Sequence, residues 1–492
     1  MSSLTEVTSI KNLVYLVMGF VVFAVILLLP EPSSVDTGTK MLSLTPAGKA
    51  TMAVLALAVL FWITEALPFA VTGLLAMSLM VMTGAAPFKQ LVQDGFGNPI
   101  ILFFIGVLIF SAAISETNLL KRITTFILYH LGHSPSLIIL AFIIVGALLS
   151  GWITDMAVAA MLFPIGMTIL KDAKAEPLKS NFGRALMIAC AWGPLIGGVT
   201  TPAGCGPNPL TIGFLRDLAG INFTFLQWMI LGFPAAILMI PAAWFILLRV
   251  FPLEEINLSI TKEDADARKK ELGHVNRKEA LTLGIFLITI FLWICAPFIE
   301  KWTGGVINYL SISFVAITCA MLFFFPGINV ITWETAERKI SWGGIVLIVS
   351  GLAIGMAIYK TGAAEWMAWM TFSWIETLHP VLIVFIIVFG ISLMKVMFSS
   401  NTVTGIIVVP LLIALAKTLG IGPALLAIPA GITSSLAFIL VTSTPTNVIP
   451  YSSGYFSIGD MAKAGLWMTI ASSICVTISV YFMGSLINIM NF

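Results

Sequence analysis

The hydrophobic pattern divides the chain into long apolar segments joined by short polar loops. Apolar runs of about 20 residues are long enough to cross a bilayer as α-helices. We therefore predict an all-α polytopic membrane protein with eleven spanning helices and two re-entrant helical hairpins. The predicted spans are 12–30, 48–66, 68–84, 99–119, 226–250, 278–299, 305–325, 341–359 and 463–490, with interrupted spans at 185–215 and 423–456 and hairpins at 136–171 and 380–417.

Each predicted hairpin is interrupted near its middle by polar residues. The first break is Thr154-Asp155-Met156, with Pro164 nine residues after the aspartate, and the second is Ser400-Asn401-Thr402, with Pro410 nine residues after the asparagine. Backbone that stops being helical within hydrocarbon survives only where it is buried in protein or lines a cavity. Two such breaks, one in each half of the chain, indicate the binding site of a transporter.

A second pair of breaks interrupts the helices that follow the hairpins. Residues 200–209 contain three prolines and two glycines, and residues 442–447 contain a proline among hydroxyl and amide side chains, so a regular helix cannot continue through either. Thr200-Thr201-Pro202 and Ser443-Thr444-Pro445 are 243 residues apart, close to the 246 that separate Asp155 from Asn401. The shared offset predicts two repeats, and an odd number of crossings between them makes the repeat inverted.

The repeats set the predicted domain boundaries. Residues 1–47 form an N-terminal helix and an extracytoplasmic loop, 48–250 the first repeat, 251–277 a charged cytoplasmic linker and 278–492 the second repeat. Lysine and arginine are in excess in the loops that this topology assigns to the cytoplasm, which fits the positive-inside rule. We expect a cell-membrane protein with a cytoplasmic N-terminus and an extracytoplasmic C-terminus.

Composition agrees with a membrane-embedded chain. Apolar residues make up 59% of it and charged residues only 10%, with a mean hydropathy of +1.05, whereas soluble domains carry about 25% charged residues. The five cysteines form no CxxC pair and the four histidines lack metal-ligand neighbours. The phosphate-binding motif GxxxxGK[ST] is absent, so an ion gradient must supply the energy for transport.

Other classes of protein fit the sequence less well. A channel needs a continuous pore with repeated rings of ligands, whereas this chain offers one pair of breaks. An intramembrane enzyme needs a catalytic constellation, and Asp155 is the only acid predicted at the membrane midplane. Glu65 and Glu116 are interpreted as structural or interfacial. We expect a transporter embedded in the lipid bilayer, with no enzymatic activity, no cofactor and no nucleic-acid partner.

The breaks offer groups that suit an anion and a cation side by side. Short hydroxyl and amide side chains bind anions through their donors, and a half-helix adds free N–H groups and the positive end of its dipole. Carbonyl oxygens freed at the same break suit a sodium ion. No arginine lies near either tip, so the sequence does not predict a fully charge-paired anion site.

Four motifs resemble those of the divalent anion/sodium symporter family, of the bacterial anion permease type. They are Ser400-Asn401-Thr402, Thr444-Pro445-Thr446-Asn447, Pro202…Pro207-Asn208 and Thr64-Glu65-Ala66-Leu67-Pro68. The resemblance covers nearly the whole chain and implies a homodimer. It also implies elevator-type transport, in which both hairpins and both broken helices move against a scaffold. The implied substrates are small divalent anions, C4-dicarboxylates foremost, and the implied coupling ion is sodium.

The resemblance also implies which residues form the site, because each hairpin tip of the family carries Ser-Asn-Thr. Implied substrate-binding residues are Thr154, Asp155, Met156, Thr201, Pro202, Ser400, Asn401, Thr402, Thr444, Pro445 and Thr446. Implied sodium ligands are Ser150, Thr154, Asp155, Gly198, Ser399, Asn401 and Asn447.

The first tip departs from that pattern at two positions. Met156 stands where the family has threonine and offers no hydroxyl to a carboxylate, which favours a smaller or more apolar substrate. Asp155 stands where the family has asparagine, and a charge at membrane depth costs about 2.5–3.5 kcal/mol, so it is functional by default. It could bind sodium more strongly, or carry a proton, because burial disfavours the ionised carboxylate.

A third role for Asp155 involves Lys395, five residues before Ser400. If the tips meet, the two side chains could form a coupling pair in which a fixed ammonium replaces one sodium. Lys395 could instead extend to the membrane surface. The sequence therefore leaves open a proton-coupled carrier, a sodium-independent exchanger of 2-oxoglutarate, citrate or tartrate, and a sulfate carrier.

Overall fold

The computed structural model describes residues 2–32, 34–36, 41–132, 134–256, 270, 272–372, 374 and 378–486. Residues 257–269 and 271 of the predicted charged linker lie outside these ranges, as does the predicted end of the last span, 487–490.

The described part of the first half is a succession of helices and one small sheet. The helices are α1 (Ser2–Leu28), α2 (Pro46–Thr64), α3 (Phe69–Met82), α4 (Phe88–Gly95), α5 (Ile100–Ser115), α6 (Leu119–Leu131), α7 (Pro135–Ser150), α8 (Asp155–Asp172), α9 (Asn181–Gly198), α10 (Pro207–Ala219) and α11 (Phe225–Val250). Strands β1 (Val35–Asp36) and β2 (Met41–Leu42) pair antiparallel, with Val35 opposite Leu42.

The described part of the second half is also helical. Its helices are α12 (Arg277–Trp302), α13 (Ile312–Met321), α14 (Trp333–Lys339), α15 (Trp342–Lys360), α16 (Ala363–Phe372), α17 (Pro380–Met394), α18 (Asn401–Thr418), α19 (Pro423–Ser434), α20 (Pro445–Tyr451) and α21 (Ile458–Leu486). Short 3₁₀ turns cover Leu322–Phe324, Lys395–Met397 and Val441–Ser443.

Local sequence explains where many of these helices begin. Thr45, Ser134 and Ser180 each accept a hydrogen bond from the backbone N–H three residues later, which supplies a partner for a free donor of the first turn. Thr224 with Gln227 and Asn276 with Glu279 form reciprocal capping boxes at the starts of α11 and α12.

The predicted class, a multi-pass helical membrane protein, is confirmed. Among the described residues, eight helices are long and apolar enough to cross a membrane, and α4 with α5, bent by 41°, makes a ninth if counted as one span. The eight segments are Ile10–Leu28, Pro46–Thr64, Phe225–Val250, Arg277–Trp302, Trp342–Lys360, Pro380–Met397, Asn401–Thr418 and Ile458–Leu486.

Two consecutive helices with a break between them occupy each predicted hairpin, α7 and α8 in the first and α17 and α18 in the second, and likewise each interrupted span, α9 and α10 in the first and α19 and α20 in the second. The predicted span 305–325 is wrong at its start. Gly304 and Gly305 adopt positive φ, and α13 begins only after Ser311, whose side chain accepts from Phe314 N at 3.3 Å. The short helices α6, α14 and α16 were not predicted.

The hairpins and broken helices of the two halves pack into one another. Helix α10 packs against α18 and α19 of the second half, while α20 packs against α8 and α9 of the first. Helices α7 and α9 come close because Gly146 faces Pro194. A Cβ at Gly146 would lie 2.6 Å from the proline Cδ. Small residues are what allow membrane helices such close approach.

Candidate functional site

The two hairpin tips have the same backbone design. Each tip leads into a helix of 18 residues that starts at Asp155 in α8 and at Asn401 in α18. At the first tip, Asp155 Oδ1 accepts a hydrogen bond from Met156 N at 2.9 Å. At the second, Ser400 Oγ accepts from Val403 N at 3.5 Å. Ser400 thus caps α18, whereas the N-cap residue of α8, Thr154, makes no such side-chain bond and the first N–H groups of α8 have only Asp155 Oδ1 nearby.

An asparagine braces each broken helix in the same hydrogen-bond register. Asn208 Nδ2 donates to the carbonyls of Gly198 and Thr201, both at 2.7 Å, which lie ten and seven residues earlier. Asn447 Nδ2 donates to the carbonyls of Ala437 and Leu440 at 2.7 and 3.0 Å, again ten and seven residues earlier. These bonds satisfy carbonyls that the breaks release.

The shared register refines the sequence alignment of the two halves. When the two breaks are aligned on these hydrogen bonds, Asn208 corresponds to Asn447 and Thr201 corresponds to Leu440. The sequence comparison had aligned Thr201 with Thr444.

Each tip is also tied to the break of its own half. Thr201 Oγ1 donates a short hydrogen bond to the Gly151 carbonyl of the first hairpin. Ser443 Oγ donates to the Lys395 carbonyl of the second hairpin at 3.1 Å. The hairpins and breaks of each half therefore form one connected unit.

A chain of polar contacts joins the two tips at the centre. Lys395, only 1% exposed, donates from Nζ to Asn401 Oδ1 at 2.7 Å and to the Ser443 carbonyl at 3.4 Å. Asn401 Nδ2 in turn faces Asp155 Oδ2 at 3.5 Å and the Ser435 carbonyl at 3.3 Å. Asn401 thus stands between the ammonium and the carboxylate and contacts both.

A cavity of about 520 Å³ lies against these tips. One part of its lining comes from the tips and breaks, and the other part comes from α5, from Lys339 at the end of α14 and from the start of α15. The tip and break residues that line it are Thr154, Asp155, Met156, Ala157, Ala203, Gly204, Cys205, Gly206, Ser400, Asn401, Thr402, Thr444, Pro445 and Thr446. Gly206 lets the second tip approach the first break, since a Cβ there would lie 2.5 Å from Thr402 Oγ1.

Nine of the eleven implied substrate-binding residues therefore line one cavity, and two do not. Thr201 is fully buried, and its hydroxyl donates a hydrogen bond to the Gly151 carbonyl. Pro202 is buried beside it. The first break reaches the cavity through the four residues after Pro202 instead.

Several implied sodium ligands present unpaired oxygens. Among the described residues, the buried atoms Ser150 Oγ, Ser399 Oγ and Asn447 Oδ1 have no hydrogen-bond partner. Ser150 and Gly198 are neighbours, because a Cβ at Gly198 would lie 3.7 Å from Ser150 Oγ. A buried oxygen without a donor is costly unless something satisfies it, and a hard cation such as sodium takes oxygen ligands.

Sequence reasoning missed some residues of the site. Cys205, which the sequence marked only as one of five cysteines without a CxxC pair, lines the cavity, with Sγ 3.9 Å from Asp155 Oδ2 and 3.6 Å from Asn401 Nδ2. Ser435 Oγ donates to Asn208 Oδ1 at 3.4 Å and so links the two breaks. The part of the lining that comes from α5, Lys339 and α15 was not predicted either. These residues belong to no break motif, so only tertiary packing places them at the cavity.

Helical hairpins and broken helices that surround one cavity are the architecture of a multi-pass membrane transporter. The family described as "Sodium:sulfate symporter transmembrane region" matches residues 10–489, and the chain belongs to this family. The membership inferred from four motifs is thereby confirmed.

Characterised relatives match over most of their length. The chain is 31% identical to the sodium-dependent dicarboxylate transporter SdcS of Staphylococcus saprophyticus, with 96% of this chain and 92% of the relative covered. It is 30% identical to SdcS of Staphylococcus aureus strain USA300, with 86% and 83% covered.

Solved structures show the same fold at low identity. The YdaH transporter of Alcanivorax borkumensis matches with a TM-score of 0.58 at 14% identity, with 98% of both chains covered. MtrF of Neisseria gonorrhoeae matches with a TM-score of 0.52 at 12% identity, with 96% of this chain and 95% of that one covered.

Proposed function

We propose that this protein is a secondary active transporter that moves small divalent anions, C4-dicarboxylates foremost, together with sodium. The observation that carries the proposal is the convergence of both tips and both breaks on one cavity. Family membership and relatives that are sodium-dependent dicarboxylate transporters support it.

The second half supplies most of the anion-binding groups. Ser400, Thr402, Thr444 and Thr446 bring hydroxyls to the cavity wall, and hydroxyls donate hydrogen bonds to carboxylate oxygens. At the first tip only Thr154 offers a hydroxyl, and Met156 is 48% exposed beside it. We place one substrate carboxylate at the second tip and the carbon backbone of the substrate against Met156.

Sodium binds, in this proposal, beside the first tip. Ser150 and Gly198 are neighbours there, and Asp155 lines the adjoining cavity wall. The carboxylate alone would repel a dianion, and a bound sodium cancels that repulsion. Binding of the cation and of the anion therefore favour each other, which is the requirement for symport.

A specific contact favours a second candidate, a sodium-independent anion exchanger. In the second half, the Asn401 oxygen that would coordinate a sodium accepts a hydrogen bond from Lys395 instead. A fixed ammonium would supply the positive charge at that position permanently. Such a carrier would exchange 2-oxoglutarate, citrate or tartrate without an ion gradient. A sulfate carrier would use the same cavity.

We further propose that both hairpins and both broken helices form the moving domain of an elevator within a homodimer. Support comes from the packing of α10 against α18 and α19 and of α20 against α8 and α9, which makes the four elements one body. The two repeats, 48–250 and 278–492, would be inverted, and the N-terminus would be cytoplasmic and the C-terminus extracytoplasmic.

Uptake into proteoliposomes tests the function directly. Labelled succinate, 2-oxoglutarate and sulfate are offered with an inward sodium gradient, with a proton gradient, and with neither. We expect succinate to accumulate only with sodium.

Counterflow of labelled anion against internal unlabelled anion, without sodium, would replace the symporter with the exchanger. Accumulation driven by the proton gradient alone would replace sodium with a proton as the coupling ion. An absence of uptake for all three anions would contradict the proposal as a whole.

A further inference from the structure

The cavity has very few charged residues for a site that receives dianions. Within the part of the chain that the structure describes, only Asp155 and Lys339 among the lining residues carry a charge. Lys395 is buried behind Asn401 and does not belong to the lining. An anion that enters the cavity from water therefore meets one lining cation, Lys339.

Lys339 lies at one end of the cavity. Helix α5 lines the wall with one face, at residues Phe104, Val107, Leu108, Ser111, Ala112 and Ser115, and so its C-terminal end reaches the cavity rim. Helix α15 lines the wall with its first turns, beginning at Ser341. Lys339 is the last residue of α14, three residues before α15 begins at Trp342, and Glu116 directly follows α5, so the two side chains lie where the end of α14 meets the end of α5.

These two side chains form an ion pair across the two halves of the chain. Lys339 Nζ lies 2.5 Å from Glu116 Oε1, and the side chains are 37% and 40% exposed. An exposed pair of this kind contributes about 0–1 kcal/mol to stability. It is therefore weak enough for another carboxylate to displace Glu116.

We propose that Lys339 recruits the anionic substrate at the cavity mouth and that Glu116 competes with the substrate for it. This inference rests on the proposed function, because it requires an anionic substrate. As the anion arrives, its carboxylate replaces Glu116 as the partner of the ammonium, and it then passes to the tips. Lys339 acts as a positioning residue, since a charge at the rim of a site changes encounter rate and salt dependence.

Charge-neutral variants separate recruitment from a structural role. We expect Lys339→Gln to weaken equilibrium binding of succinate to the purified full-length protein about two- to fivefold at low ionic strength. The effect should vanish near about 300 mM salt, where screening is strong. Glu116→Gln breaks the same ion pair but should tighten binding by a similar factor.

A matched control is Lys360→Gln at the other end of α15. Lys360 pairs with Asp94 at 2.7 Å and is 38% exposed, but it does not line the cavity. We expect no change in succinate binding. Shifts in the same direction for Lys339→Gln and Glu116→Gln, or an unchanged affinity in Lys339→Gln, would overturn the inference. If wild-type protein still takes up succinate, only the role of Lys339 fails, whereas a wild type that takes up no divalent anion contradicts the proposed function as well.

Discussion

The two hairpin tips lead into helices of the same length and differ in chemistry. Both lead into helices of 18 residues with a proline at the tenth position, and each is hydrogen-bonded to the break of its own half. The first tip presents Asp155 and Met156, whereas the second presents Asn401 and Thr402 with Lys395 behind them. The difference shows that helix breakers set the geometry of a tip, while the side chains on that geometry are free to diverge.

The differences between the tips are complementary in charge. The first half contributes a carboxylate and the second an ammonium, and Asn401 contacts both. A buried ammonium is costly unless it has partners, and Lys395 has two, the Asn401 oxygen and the Ser443 carbonyl. The charges of the site are therefore balanced between the two halves of the chain and not within either half.

The largest expected effect comes from removing the charge of the first tip. Asp155→Ala should lower sodium-driven uptake about 100-fold, because breaking a buried charged contact costs about 3–5 kcal/mol. Asp155→Asn is the matched variant, since it restores the family residue. It should keep uptake within about tenfold of wild type, with weaker sodium affinity. Initial rates in proteoliposomes against sodium concentration measure both, and a wild-type rate in Asp155→Ala would show that the carboxylate has no role.

Removing the charge of the second tip tests whether an ammonium replaces a sodium. Lys395→Met keeps the length of the side chain and leaves Asn401 Oδ1 without its donor. We expect uptake at low sodium to fall about tenfold or more and the dependence on sodium to become steeper, because a further ion must fill the position.

The control for Lys395→Met lies on the same helix. Lys417, near the far end of α18, donates to the Leu218 carbonyl at 2.6 Å. Lys417→Met should leave the sodium dependence unchanged. If Lys395→Met shows the same sodium dependence as wild type, the Lys395 ammonium does not take the place of a bound sodium.

The two asparagine braces test whether the breaks are equivalent. Asn208→Ala and Asn447→Ala each remove two hydrogen bonds to carbonyls of the break, and each should lower the free energy of unfolding by about 2 kcal/mol. Asn208→Ala also removes the hydrogen bond from Ser435, so its effect should be the larger. Only Asn447 has a free carbonyl oxygen, since Asn208 Oδ1 accepts from Ser435. We expect sodium to raise the Tm of Asn447→Ala less than that of wild type and of Asn208→Ala, because this free oxygen is a candidate ligand for a sodium additional to the one proposed beside the first tip. An equal sodium effect in both variants would exclude a sodium at Asn447.

The smallest expected effect concerns the hydroxyl that the first tip lacks. Met156→Thr should lower the KM for succinate about tenfold, because a hydrogen bond to a charged group contributes about 1.5–3 kcal/mol. The reciprocal Thr402→Met should raise it by a similar factor. Uptake rates against succinate concentration measure both. A higher KM in Met156→Thr would mean that the lost apolar contact between Met156 and the substrate outweighs the added hydroxyl.

Much of the fold was predictable because breaks in apolar sequence are strong signals. The predicted hairpin 380–417 corresponds to helices that run from Pro380 to Thr418, and the sixth predicted span, 226–250, to Phe225–Val250. Proline and polar residues within an apolar segment interrupt the helix there, so their positions in the sequence locate the hairpin tips to within a few residues. Short helices such as α6 and α16 gave weaker signals, because their apolar runs are too short to cross a membrane.

The site was predictable only where it coincides with the breaks. Nine implied residues line the cavity because they belong to the tips and breaks themselves. Thr201 and Pro202 do not line the cavity. One side of a break faces the cavity and the other side is buried in protein, and the sequence does not show which residues lie on which side. Cys205 lies within the first break but was not predicted as a site residue, and Lys339 belongs to no motif, so only packing brings Lys339 to the cavity.

The sequence by itself determined the membrane class, the family, the two pairs of breaks and the unequal charge of the two tips. These properties are local, because hydropathy, proline and a buried charge act on the residues that carry them. The tertiary structure decided that Lys395 contacts Asn401, that Asn401 faces Asp155, and that Lys339 meets Glu116 at the cavity rim. Those contacts join residues far apart in the chain, and only the packing of the two halves against each other sets their distances.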